Sequence, residues 1–169
     1  MNLTIREETP DDAPIIAQTH WLGFNRANEA DLVERLRGHG LIVTSLVATN
    51  DDGVIGHVMF SQLPIKTSHE ILAGVALAPI AVWPNWRKRG IGSKLIRKGL
   101  DICRERNYKV VVVLGDPTYY SCFGFSSALA RQLRGPFSGD NFMVLELVPK
   151  ILHGITGEVN YPEPFQSVS

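Results

Sequence analysis

Val82-Trp83-Pro84-Asn85-Trp86-Arg87-Lys88-Arg89-Gly90-Ile91-Gly92 joins an apolar run to an amphipathic one. Ahead of it, Leu72 to Val82 has the composition of a long strand, and Pro79 within it signals an edge, a bend or a bulge. Behind it, Ile91, Leu95, Ile96, Leu100 and Cys103 recur at helical spacing. Lys94, Arg97, Lys98, Asp101 and Arg104 occupy the other faces, so the pattern predicts a helix from Arg89 or Gly90 to about Arg106. Gly90 and Gly92 allow a tight turn and a close approach of backbone to a ligand. The free N–H groups of a helix's first turn, with the helix dipole behind them, form an anion site. Arg87, Lys88 and Arg89 surround that site with positive charge, and a diphosphate suits it. Other nucleotide loops fit worse. Leu95 stands where a Rossmann loop has its third glycine, and Gly92-Ser93-Lys94 replaces the Gly-Lys-Ser/Thr of a P-loop. On these residues alone, a tight turn with solvated cations is the alternative.

Working outward, Leu3 to Arg6 alternates as a first strand. Thr9-Pro10-Asp11-Asp12 has the cap, the N1 proline and the acids of a helix start. A second helix is predicted over Glu29 to Arg37, ended by Gly38 and Gly40. Leu46 to Thr49 and Val54 to Leu63 flank the hairpin turn Asn50-Asp51-Asp52-Gly53. Val110 to Leu114 is a strand buried on both faces. Asp116 caps a short helix with Pro117 at N1, and Met143 to Val148 is a last strand. From Lys150 the chain carries Gly154, Gly157, Pro162 and Pro164, which predicts an irregular tail. The order β α α β β β α β α β predicts one α+β domain, a mixed central sheet flanked by helices, over residues 1–150, with the tail 151–169 packed on or near it.

Composition narrows the function. The chain has 169 residues, enough for one core, and its 17 basic and 17 acidic residues cancel. A general binder of nucleic acid or anionic membrane shows a basic excess, which is missing here. The longest apolar run, Ile71 to Trp83, is short and broken by Gly74 and Pro79, and the N-terminus has charges where a secretory signal has apolar residues. A cytoplasmic protein is expected. Cys103 and Cys122 are too few for a disulfide framework and are expected as reduced thiols, with Cys122 packed in the core. His20, His39, His57, His69 and His153 show no metal-ligand spacing, so no metal is expected.

Arg87-Lys88-Arg89-Gly90-Ile91-Gly92 resembles the Arg/Gln-x-x-Gly-x-Gly/Ala signature of the GCN5-related N-acetyltransferases (GNAT). Ile80-Ala81-Val82-x-Pro84 resembles that family's fourth strand, and Tyr119-Tyr120-Ser121-Cys122-Phe123-Gly124-Phe125 resembles its Tyr-x-x-x-Gly-Phe helix. The βαβα order between the two is also the family's. The resemblance covers roughly residues 3–148; Gly115-Asp116-Pro117 and Gly157 to Phe165 further resemble a small bacterial branch.

The resemblance implies a single-domain acyl-CoA N-acyltransferase fold and acetyl-CoA as co-substrate. It implies transfer of the acetyl group to a primary amine by direct attack in a ternary complex, the amine belonging to a small molecule or a peptide. A catalytically silent CoA-binding sensor is the alternative, and the family allows a homodimer. Amides around Arg87, Lys88, Arg89, Gly90, Ile91, Gly92 and Ser93 would bind the pyrophosphate. The backbone of Ile80, Ala81 and Val82 would pair with pantetheine, and the Val82 amide would hold the oxyanion. Tyr120 would protonate the leaving thiolate, while Tyr119 would line the substrate or pack. Asp116 is a helix cap or a ligand contact. Trp83 and Trp86 would cover the sheet edge or stack on the cofactor. The general base stays open between Glu29, His57 and a water relay.

Overall fold

The computed structural model describes residues 2–166; residue 1 and residues 167–169, at the ends of the expected domain and tail, lie outside the described residues. The chain runs β1 (Thr4–Glu7), α1 (Ala13–Phe24), α2 (Asn28–Gly38), β2 (Ile42–Asn50), β3 (Gly53–Gln62), β4 (Ile65–Thr67), β5 (Ile71–Leu72), β6 (Gly74–Val82) and α3 (Ile91–Glu105). It continues through β7 (Val110–Leu114), α4 (Pro117–Tyr120), α5 (Ser127–Ala130), β8 (Leu133–Arg134), β9 (Phe142–Glu146), β10 (Gly157–Val159) and α6 (Glu163–Gln166). The main sheet has the order β1-β2-β3-β6-β7-β9, antiparallel except where β6 lies parallel to β7. That parallel pair is joined by α3, as a crossover connection requires.

Local chemistry sets the elements. The Asp12 carboxylate accepts from the Thr9 amide (2.7 Å) and from both terminal nitrogens of Arg6 (2.7 and 3.0 Å), which ties β1 to the start of α1. The Arg6 guanidinium holds that carboxyl down at about 2. Asn50 pairs with Gly53 across the β2–β3 turn, and the Asn50 side chain accepts from the Asp52 amide at 2.8 Å. α3 lays Ile91, Leu95, Ile96, Leu100 and Cys103 on one face of the sheet against Leu46, Val58 and Phe60. On the other face Ile16 of α1 and Leu32, Val33 and Leu36 of α2 cover Val47 and Met59.

Three sequence expectations change. The apolar run before Val82 is two strands, since β5 leaves for a second sheet while β6 stays in the first. The tail is not irregular: β10 pairs antiparallel with β4 and parallel with β8, Val159 is buried, and α6 follows. A strand of three residues is too short to show alternation, and its partners lie far away in sequence. Cys122 is exposed rather than packed, because the turn after α4 points it outward; Cys103 is the buried thiol, and both are free. Among the described residues, no helix is long and apolar enough to cross a membrane.

One buried polar cluster joins α1 to the sheet. His57 lies fully inside, with Nε2 2.7 Å from the Ser45 hydroxyl and Nδ1 2.7 Å from His20 Nε2. Burial disfavours the charged rings, holding His20 down at about 4 and His57 well below its ordinary value. The unfolded chain therefore takes up protons near pH 6.5 that the folded chain refuses. Stability is complete above pH 6.5 and declines as pH falls toward 4, by about 1.4 kcal/mol per pH unit for each such ring. Denaturant unfolding at pH 7 and pH 5 should show this loss, and His57→Gln should reduce it. Equal stability at the two values would contradict neutral buried rings.

Candidate active site

β6 and β7 pair only from Gly74–Val110 to Ala76–Val112, and beyond that point they separate. β6 continues along β3, with a register shift between Val58 and Phe60 that brackets Ala78 and Pro79. The Trp83 amide donates to the Ile55 carbonyl at 2.8 Å, which marks Trp83–Ile55 as a hydrogen-bonded pair. By the antiparallel alternation Ala81 is the next such position, opposite His57. The N–H and C=O groups of Ile80 and Val82 therefore face the split between β6 and β7. Those of Ala81 face β3. Of the three strand residues expected to meet a ligand through backbone, two present their polar groups to the split and Ala81 turns them away.

The split holds three neighbouring cavities. The first, about 220 Å³, lies against the loop before α3 and is lined by Lys88, Gly90, Ile91, Gly92 and Ser93 among others. Gly90 caps α3 with φ +79°, a conformation that side chains resist. The first amide of the helix ladder is Lys94, donating to the Gly90 carbonyl at 3.1 Å. The N–H groups of Ile91, Gly92 and Ser93 precede that bond, so no helix carbonyl takes them. Arg87 lines this cavity and the next, its Nε donating to the Val82 carbonyl (3.2 Å) and its Nη2 to the Gly23 carbonyl at the end of α1 (3.3 Å). Arg89 lies over the Trp86 ring, 4.8 Å from its centroid. Trp83 donates through Nε1 to Thr19 Oγ1 at 2.9 Å and packs on the core.

The second cavity, about 270 Å³, follows Ile80, Ala81 and Val82. The Tyr119 hydroxyl stands at the junction of the first two, 3.3 Å from Ser93 Oγ. The third and largest, about 490 Å³, takes in Ile80, Tyr120 and Glu29. Tyr120 is mostly buried among Tyr119, Phe123 and Phe125, and burial pushes its phenol up to about 12. Gly115 makes room for it: a Cβ there would lie 2.4 Å from the ring's Cε2. Asp116 acts as a cap, accepting from the Thr118 amide at 3.0 Å. Glu29, nearly buried, is gripped by Arg26 through two bonds of 2.9 and 2.6 Å. His57 lines none of these cavities; both its ring nitrogens are engaged inside the fold, so it cannot take a proton from a substrate there. Among the described residues no group of three potential metal ligands assembles.

A loop with unpaired helix amides, a strand edge open on one side and a cavity at its far end match a known arrangement. The acetyltransferase (GNAT) domain family matches residues 4–128. The chain belongs to the GNAT acetyltransferase family. It is 42% identical over 166 residues to the uncharacterized N-acetyltransferase YhbS of Escherichia coli K12, covering 96% of this chain and 98% of that one. The crystal structure of Escherichia coli YhbS in complex with CoA superimposes with a TM-score of 0.89 at 41% identity, over 99% of this chain and 93% of that chain. A GNAT acetyltransferase from Brucella melitensis in complex with acetyl-CoA gives a TM-score of 0.80 at 32% identity, over 97% and 98%.

Several residues of the GNAT groove escaped the sequence reading. Phe24 closes α1 and lines the second and third cavities. Arg26 sits in an unpatterned turn, and only its spacing of three from Glu29 hinted at a pair. Phe137, Tyr161 and Phe165 reach the third cavity from stretches rich in glycine and proline, where no period marks them. The space around Tyr120 is directly testable. Gly115→Ala should cost about 1–3 kcal/mol of stability, the usual range for overpacking, and shift the Tyr120 ring resonances. An unchanged melting curve and spectrum would show that the ring is not confined there.

Proposed function

We propose that this chain transfers the acetyl group of acetyl-CoA to a primary amine by direct attack in a ternary complex. The observation that carries the reading is the Val82 amide: it faces the split, between the unpaired amides of α3 and the largest cavity. The residues present fit the cofactor. The Ile91, Gly92 and Ser93 amides, with Arg87 and Lys88, suit a pyrophosphate. Ile80 and Val82 offer backbone groups to pantetheine as an added strand would.

Each remaining group has one task. The Val82 N–H receives the thioester oxygen as negative charge develops on it. Glu29, facing the largest cavity, takes the proton that the amine nitrogen sheds as its bond to carbon forms. Tyr120 donates to sulfur as the carbon–sulfur bond breaks, and a phenol held neutral keeps that proton available throughout the physiological range. Glu29 then returns its proton to Tyr120 across the cavity that both line, so the net change is one proton moved from nitrogen to sulfur. The unit takes in residues 1–150, with the tail supplying one wall, and two free thiols suit a cytoplasmic setting.

Two measurements test this. Acetyl-CoA should raise thermal stability, by about 2.7 kcal/mol at a hundred times Kd. Gly90→Val should abolish that rise, because the cap conformation excludes a branched side chain. A rise with NAD and none with CoA would overturn the reading. Tyr120→Phe should lower kcat by roughly 10²–10⁴ with little change in CoA affinity. Unchanged turnover, with chemistry rate-limiting, would leave Tyr120 as packing, and the complete lack of CoA release with every amine would favour a silent CoA-binding module.

A further inference from the structure

The third cavity defines what the acceptor looks like beyond its amine, and the argument rests on the transfer reading above. Its walls come from three parts of the chain remote in sequence. Phe24 ends α1; Phe137 lies in the loop before β9; Tyr161 and Phe165 belong to the tail. The last three meet edge to face, with ring centroids 5.3 Å apart for Phe137 and Tyr161 and 5.4 Å for Tyr161 and Phe165. A salt bridge from Glu163 to Arg35, with His39 Nε2 3.4 Å from the same carboxylate, fastens this wall to α2. Among the described residues lining the cavity, Glu29 alone is ionisable at neutral pH, and Arg26 already balances its charge.

A polyamine or aminoglycoside needs several carboxylates to replace the water around its charges, and a peptide needs backbone donors and acceptors along its length. This cavity has one carboxylate, already paired with Arg26, and the backbone edge that borders it is the short stretch of β6 past Ala76 that the cofactor would share. Its polar side chains are Glu29, Tyr120 and Tyr161, and the β6 backbone past Ala76 borders it; the other lining side chains are aliphatic or phenyl. A cavity of roughly 150 Å³ lined by apolar side chains suffices for benzene. The volume of about 490 Å³ therefore accommodates an aromatic ring, a short arm ending in the amine, and the acetyl end of the cofactor. We propose that the acceptor is a small primary monoamine on an aromatic body, and that Phe137 and Tyr161 determine its selection by packing against the ring.

The experiment has a binding arm and a turnover arm. Phenethylamine and tryptamine are titrated calorimetrically into the full chain saturated with CoA. CoA release from acetyl-CoA is then followed with these amines and with ethylamine, spermidine, lysine, glucosamine and a short peptide. The proposal expects both aromatic amines to bind, and their kcat/KM to exceed that of every other amine by about tenfold or more. Phe137→Ala should raise KM for phenethylamine about tenfold while leaving CoA affinity unchanged, and Phe137→Leu, which fills more of the space, should fall between. Preference for spermidine, lysine, glucosamine or the peptide overturns the proposal and leaves acetyl transfer standing. Failure of the aromatic amines to bind the CoA complex overturns it as well, as does an unchanged KM in both Phe137 variants. Binding without CoA release upholds the cavity's selectivity and instead removes the transfer reading.

Discussion

Everything in the groove depends on one unfinished ladder. β6 keeps β3 on one side and loses β7 on the other after Ala76. A strand in the middle of a sheet ordinarily has both edges paired. Buried backbone groups left without partners cost about 1–3 kcal/mol each, so such an edge persists only where water or a ligand can reach it. The split therefore makes a polar ligand welcome between two walls that are otherwise apolar. The β6–α3 loop places a second set of unpaired amides, those of Ile91, Gly92 and Ser93, at the mouth of the same split. One extended molecule with an anionic end and amide groups along its length satisfies both.

The parts of this arrangement governed by local physics were legible in the sequence. Gly90 and Gly92 after three cations, followed by a clean helical period, located the loop and α3 to within a residue or two. The hairpin at Asn50 to Gly53 and the cap at Asp116 were equally plain, since their hydrogen bonds span only a few residues. Pro79 announced an irregularity, and the register shift opposite it is that irregularity. The second sheet was not legible. β4, β8 and β10 have two or three residues each, and β10 pairs with segments far back in the chain, Val159 with Ile65 and Gly157 with Leu133. No local pattern encodes such a pairing.

The candidate site divides along the same line. The cofactor side is built largely from backbone amides and one helix end, features that a glycine pattern reveals. The acceptor side is built from side chains that α1, the turn before α2, the β8–β9 loop and the tail bring together. His57 shows how misleading position on a strand can be. It stood as one of three candidates for the general base, yet the contacts with His20 and Ser45 enclose it completely. Tyr119 and Tyr120 are adjacent, but a helical turn sends one hydroxyl to Ser93 and the other ring into the far cavity.

The chemistry of the acceptor side follows from what an amine must lose before it attacks. An alkylammonium with an ordinary pKa near 10.4 is neutral about once in several thousand encounters at pH 7, so selecting the free amine costs roughly 5 kcal/mol. Burying a ring the size of a phenylalanine side chain returns about 1.5–3 kcal/mol, which does not cover the whole cost. Low polarity around the nitrogen lowers the ammonium pKa further in the same direction, since desolvation penalises the charged form. The free amine still has a proton to shed as its bond to carbon forms, and that proton needs an acceptor inside the cavity. Glu29 is placed for that task, and Arg26 keeps its carboxylate from being left uncompensated beside apolar walls. Each oxygen accepts one bond from Arg26 and retains a second lone pair, so the grip that stabilises the charge does not block the proton. On the proposed reading, aromatic walls and a single paired carboxylate are two halves of one solution: the walls bind the body of the free amine, and the carboxylate takes the proton that the nitrogen sheds as it attacks.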